Sequence, residues 1–204
     1  MGLSLQLGAL SLADDWHARQ LRVVNRVLGA AGLPAHEEPA EQPPLCSRAG
    51  SVGFPYSFIH HLRRLYAHCK SDPTADVEPV ADGEDPAEDA LVEELGHDLS
   101  SHLICHSDSS GFYVPVRFGD VLTDDELAGG CLGSSLRLLE ELSLCAPALG
   151  IYLSRTGSLS DAEVERINAA ASKNGAFCRE LTAWIALWEA ARLSVAHGIS
   201  IELC

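Results

Sequence analysis

The stretch from Phe177 to Ala196 constrains the fold of this chain more than any other. Phe177, Leu181, Trp184, Ile185, Trp188, Ala191, Leu193 and Val195 recur at helical spacing. The apolar face they make is too broad for a helix lying on a surface and suits a central core helix. Such a helix must be covered on several sides, so the remaining chain is expected to wrap it. Gly198 is its stop signal, and Ile199 to Leu203 reads as a closing strand. A chain of 204 residues, 47% apolar and 21% charged, can supply that core. The length favours one domain over residues 1–204.

The other segments fill in a mixed architecture. Leu3, Leu5 and Leu7 alternate as in a strand. From Asp14 to Gly32, the residues Trp16, Leu21, Val24, Val27, Leu28 and Ala31 mark a helix capped by Asp14 or Asp15 and ended by Gly32 and Pro34. Ala35 to Gly53 is a surface connection. A second helix after Pro55 buries Phe58, Ile59, Leu62, Leu65, Tyr66 and Cys69, and a short one spans Ala87 to Leu95. Between His102 and Phe118 two apolar runs flank the polar turn Ser107 to Gly111, which predicts a β-hairpin at the sheet's centre. Ser134 starts a helix to Cys145, Ile151-Tyr152-Leu153 reads as a strand, and Ser160 with Glu163 forms a capping box for a helix to Ser172. Few strands, partly hairpin-linked, among about six helices predict an α+β fold: a small, mainly antiparallel sheet packed against the helices.

Charge narrows the function. Lys and Arg number 14 against 29 Asp and Glu, a formal net charge of -15. This excludes non-specific nucleic-acid binding, which needs cations to neutralise phosphates, and disfavours anionic membranes. Between Lys70 and Arg117 there is no Lys or Arg but twelve acids: Asp72, Asp76, Glu78, Asp82, Glu84, Asp85, Glu88, Asp89, Glu93, Glu94, Asp98 and Asp108. The segment 71–90 is expected to be acidic and mobile. Such a run is a solvated loop that aids solubility, a surface that steers a basic protein partner, or a carboxylate metal site. In the second case Glu84, Asp85, Glu88, Asp89, Glu93 and Glu94 are its recognition residues. The seven cysteines are odd in number and scattered, with no CxxC pair. No basic signal region or bilayer-length apolar run is visible, so a cytoplasmic location is expected.

Some residues could carry chemistry instead. His61, His102 and His106 are metal-ligand candidates. As a strand, however, 102–106 would hold its two histidines about 13 Å apart at about 3.3 Å per residue, too far for one ion. Gly129-Gly130-Cys131-Leu132-Gly133 outlines a nucleophile elbow, and Cys131 with His106 and Asp108 could form a catalytic set. The same glycines could equally serve backbone geometry or cradle an anion, although the P-loop Lys is missing. A metal- or cysteine-dependent hydrolase around 102–111 is thus the enzymatic alternative. No cofactor is implied.

The string His106-Ser107-Asp108-x-x-Gly111, in a small acidic α+β chain, resembles motifs of bacterial toxin-immunity proteins. The resemblance implies a non-catalytic inhibitor that covers a toxin's active site, with the acidic surface meeting a basic partner, often a nuclease. It carries no catalytic residue onto this chain. The reading favoured is a non-enzymatic binding or inhibitor protein with an acidic recognition surface.

Overall fold

The computed structural model describes residues 2–41, 44–81 and 83–204. Its strands are β1 (Gly2–Leu7), β2 (Gly53–Pro55), β3 (Gly111–Val114), β4 (Leu122–Thr123), β5 (Cys131–Ser134) and β6 (Ile201–Leu203). Its helices are α1 (Asp15–Ala30), α2 (Ser57–Ser71), α3 (Ala90–Leu95), α4 (Ser135–Cys145), α5 (Asp161–Ala171) and α6 (Cys178–His197). The strands form one sheet in the order β2-β1-β6-β3-β5-β4. Every pairing is antiparallel except β3 with β5. The fold is α+β, as the sequence predicts.

Strand alternation sorts the core onto the two sheet faces. Leu3, Leu5, Tyr113, Ile201 and Leu203 face a large cluster with α2, α4, α5 and α6. Phe112, Val114 and Leu132 face the other way and pack with Val23, Val24, Val27 and Leu28 of α1. The central helix is α6: Trp184 and Ala191 are fully buried, and Trp184 stacks on Trp188 with centroids 4.8 Å apart. Val195, expected on its apolar face, is 37% exposed in the last turn. The caps follow the sequence. Asp14 accepts from the Trp16 and His17 amides, Ser134 from Arg137 and Ser160 from Glu163. The Glu163 side chain does not close its box; it holds Arg166 and the Tyr152 amide instead.

Two expected strands are corrected. Residues 102–106 are a turn, not the first arm of a hairpin, and only Gly111–Val114 is extended. Their amides are already engaged: His102 and Leu103 donate to the Glu141 carboxylate at 2.8 and 2.7 Å, Ile104 to the Ser101 hydroxyl and Cys105 to the Ser101 carbonyl. Four of the five amides are thus spent before a ladder could form, and β3 takes its partners from β5 and β6. Ile151-Tyr152-Leu153 is irregular for a similar reason, since the Ile151 amide goes to Ala146 and the Tyr152 amide to Glu163.

Candidate functional site

The acidic segment is laid along α2. It leaves that helix at Asp72, and Val77 and Pro86 are its buried anchors. It then passes through a single 3-10 turn, Pro86–Glu88, into α3. Arg64 of α2 donates to the Glu78 carbonyl at 2.9 Å. Asp89 caps α3 by accepting from the Leu91 amide, and its second oxygen meets His68 at 2.9 Å and Arg64 at 3.2 Å. Burial works against the Asp89 charge, but the bonds from His68 and Leu91 outweigh it and hold the carboxyl below its ordinary range. Beyond α3 the chain turns through residues 101–106. That turn is fixed from below by Arg63, whose buried guanidinium donates to the Leu103 carbonyl at 2.8 Å and the His106 carbonyl at 2.6 Å.

What remains outside is a run of carboxylates. Asp72, Asp76, Glu78, Glu84, Asp85, Glu88, Glu93, Glu94 and Asp98 are exposed, and none forms an ion pair among the described residues. Several acids elsewhere are met by arginine: Asp124 and Glu126 by Arg26, Glu140 by Arg117 and Arg137, Glu163 by Arg166, Asp161 by Arg48. Local donors favour the charged state at the two ends of the run. Thr74 bonds hold Asp72 below its usual pKa, and the Ser100 amide and hydroxyl do the same for Asp98. Arg64, Val80, Glu84, Asp85, Glu88 and Asp89 line a cleft of about 430 Å³ within this face. Five of the six expected recognition residues are therefore displayed, while Asp89 is committed to α3 and to α2. Asp82 lies outside the described residues.

The residues considered for chemistry are each engaged in structural contacts. His106 is buried against Tyr113, with ring centroids 4.1 Å apart, and its nitrogens face the Ser107 and Phe112 carbonyls. Burial pushes its pKa down to about 4. His102 accepts from the Ser134 amide and faces the Gly119 carbonyl, and burial also takes it to about 4. Asp108 meets His60 at 3.3 Å, not His106. Cys131 opens β5 and accepts from the Ser107 amide, while burial pushes its thiol up, opposite to what a nucleophile needs. His61 is bonded by Arg179 at 3.0 Å and lies 3.6 Å from Glu180. Among the described residues no group of three or more His, Cys, Asp or Glu could hold a metal ion. The glycines serve geometry: Gly129 and Gly130 have φ of 69° and 73°, and at Gly133 a Cβ would overlap the Tyr113 ring.

The face presents negative charge in an ordered, unneutralised run, as a nucleic-acid backbone does. A family model described as "Putative DNA-mimic protein" matches residues 1–203. The chain belongs to this DNA-mimic family. Searches of curated proteins and of solved structures found no match. The family corrects the resemblance to toxin-immunity proteins. That resemblance rested on a string whose histidine and glycine are packed at the interior strand β3: Gly111 has φ of 118°, and His106 stacks on Tyr113. A turn of that kind recurs wherever the backbone needs it and says little about ancestry.

A DNA mimic is a binding protein. The anchors Arg63, Arg64 and His68 escaped the sequence reading. Their signal is a run of polar and basic residues on a helix whose other face is apolar, directly before a segment without cations. No described helix is long and apolar enough to cross a membrane.

Proposed function

We propose that this DNA-mimic protein is a non-catalytic binding protein that occupies the nucleic-acid site of a basic DNA-binding protein, with Glu84, Asp85, Glu88, Glu93 and Glu94 taking the place of phosphates. One observation carries this reading: nine exposed acids stand close together along 72–98, and among the described residues none of them forms an ion pair. An unneutralised carboxylate face raises the energy of the free protein and finds its complement in a lysine- and arginine-lined groove. Family membership supports the same reading, since a mimic of DNA competes for what binds DNA. Asp89 serves as a support, holding α3 so that Glu93 and Glu94 project from a fixed helix.

The test is displacement of a labelled 20-base-pair duplex from a panel of purified basic DNA-binding domains, including a helix-turn-helix repressor, a nucleoid protein and an endonuclease. The protein is expected to displace duplex from at least one of them, less effectively as salt rises. Replacing the five carboxylates by Gln or Asn is expected to weaken displacement at least about ten-fold, or about 1.4 kcal/mol. The same charge change at Asp15, Glu37, Glu41, Asp125 and Glu165, exposed acids outside the segment, leaves it within about two-fold. Equal losses for both variants would reduce the effect to net charge and overturn the site.

A further inference from the structure

A second feature lies away from the acidic face. A cleft of about 530 Å³ opens between α4, α6 and the loop 156–159, within the usual volume of a small-molecule site. Leu139, Leu159 and Trp188 give it apolar walls, Ser143 a hydroxyl, and Arg48 and Arg192 two guanidinium groups. Both arginines grip the buried Glu189 carboxylate, at 2.6 and 2.7 Å, yet they remain 25% and 34% exposed. Arg48 also reaches the exposed Asp161, and Glu140 on the rim is held by Arg117 and Arg137. Among the lining side chains two arginines stand beside one carboxylate, Glu140, in a chain of net charge -15. Trp188 is 3% exposed, and its indole Nε1 is buried with no acceptor among the described residues. A buried N–H left unbonded costs about 1–3 kcal/mol.

We propose that this cleft binds a small amphipathic anion, a planar or aliphatic apolar body carrying one carboxylate. The apolar part would lie on Leu139, Leu159 and Trp188. The carboxylate would meet Arg192 at the mouth and offer an oxygen to the Trp188 indole. A neutral ligand of the same shape would gain the apolar contacts and forgo the charged ones. An anion is favoured over a cation because a cation would face the arginines. The proposal is independent of the acidic face and stands or falls without it.

The test uses the ¹⁵N-labelled full chain, titrated with 2-naphthoate and separately with neutral 2-naphthamide, following the indole N–H signals of its three tryptophans. The Trp188 signal is expected to move saturably, with naphthoate binding about ten-fold tighter than naphthamide. Arg192→Gln is expected to erase that preference. Ser158→Phe, at an exposed position of the cleft mouth clear of the Glu189 pair, is expected to block both probes and covers the case in which Arg192→Gln fails to fold. A Trp188 signal unmoved by millimolar naphthoate overturns the proposal. So does equal binding of the two probes, or binding that survives Ser158→Phe.

Discussion

Glu189 shows how a single residue can hold distant chain segments together. Its carboxylate is fully buried on the central helix α6, and it accepts from the Arg48 amide, the Arg48 guanidinium and Arg192. The loop carrying Arg48 is thereby fastened to the core. Burial disfavours the charge, but the bonds from Arg192 and Arg48 outweigh it and take the carboxyl down to about 2. A group whose pKa falls on folding contributes stability that is present above its unfolded value, near 4.5, and is lost as the pH falls toward about 2. Between pH 6 and pH 3 this one residue should cost the fold about 2 kcal/mol. Urea unfolding at the two pH values should therefore show a difference smaller by about that amount in Glu189→Gln than in the parent chain. An unchanged difference would mean that the arginines do not hold the charge.

Helix α3 depends on contacts outside itself. Six residues are too few to be helical alone, because nucleation fixes several dihedrals before many hydrogen bonds repay it. The helix stands because Asp89 caps it and ties it to Arg64 and His68, while Leu91 and Leu95 pack on the core. Asp89→Ala should remove both cap and tie. Fast hydrogen exchange is expected at the amides of 91–95, with a stability loss of about 1 kcal/mol. Asp89→Asn keeps an equally good cap and should protect those amides nearly as well as the parent. If the two variants exchange alike, the tie to α2 matters more than the cap. The turn at 101–106 is a parallel case, with α2 and α4 supplying Arg63 and Glu141 from opposite sides.

Across the whole molecule, the acidic face opposes the core. Like charges on 72–98 repel one another, and the repulsion is present in the free protein whatever it binds. Salt screens exposed charges over about 10 Å at 0.1 M, so added sodium chloride should raise the melting temperature of the parent. The variant neutralised at Glu84, Asp85, Glu88, Glu93 and Glu94 should be more stable at low salt, by about 1 kcal/mol, and respond less to salt. Weaker displacement of duplex together with greater stability would mark a surface kept for binding at the expense of the fold. We further propose that the chain unfolds as one unit, because its single sheet takes strands from both sides of the acidic segment. Far-UV circular dichroism and tryptophan fluorescence should then give coincident transitions. Separate midpoints would divide it.

Sequence alone determined what depends on local pattern. The period of α6, the caps at Asp14, Ser134 and Ser160, the stop at Gly198 and the cation-free acidic run are all short-range facts, and the structure holds each where the sequence predicts it. Tertiary structure decided wherever a backbone group had two possible partners. His102 to His106 and Ile151 to Leu153 have strand-like composition, yet Glu141 and Glu163 claim amides there from other helices, while the Ile151 amide closes a local turn onto Ala146. It also decided which carboxylates are free: Asp89 and Glu88 are neighbours in the chain, but only Asp89 falls within reach of Arg64 and His68. Composition counts charges; only the folded chain determines which of them are left for a partner.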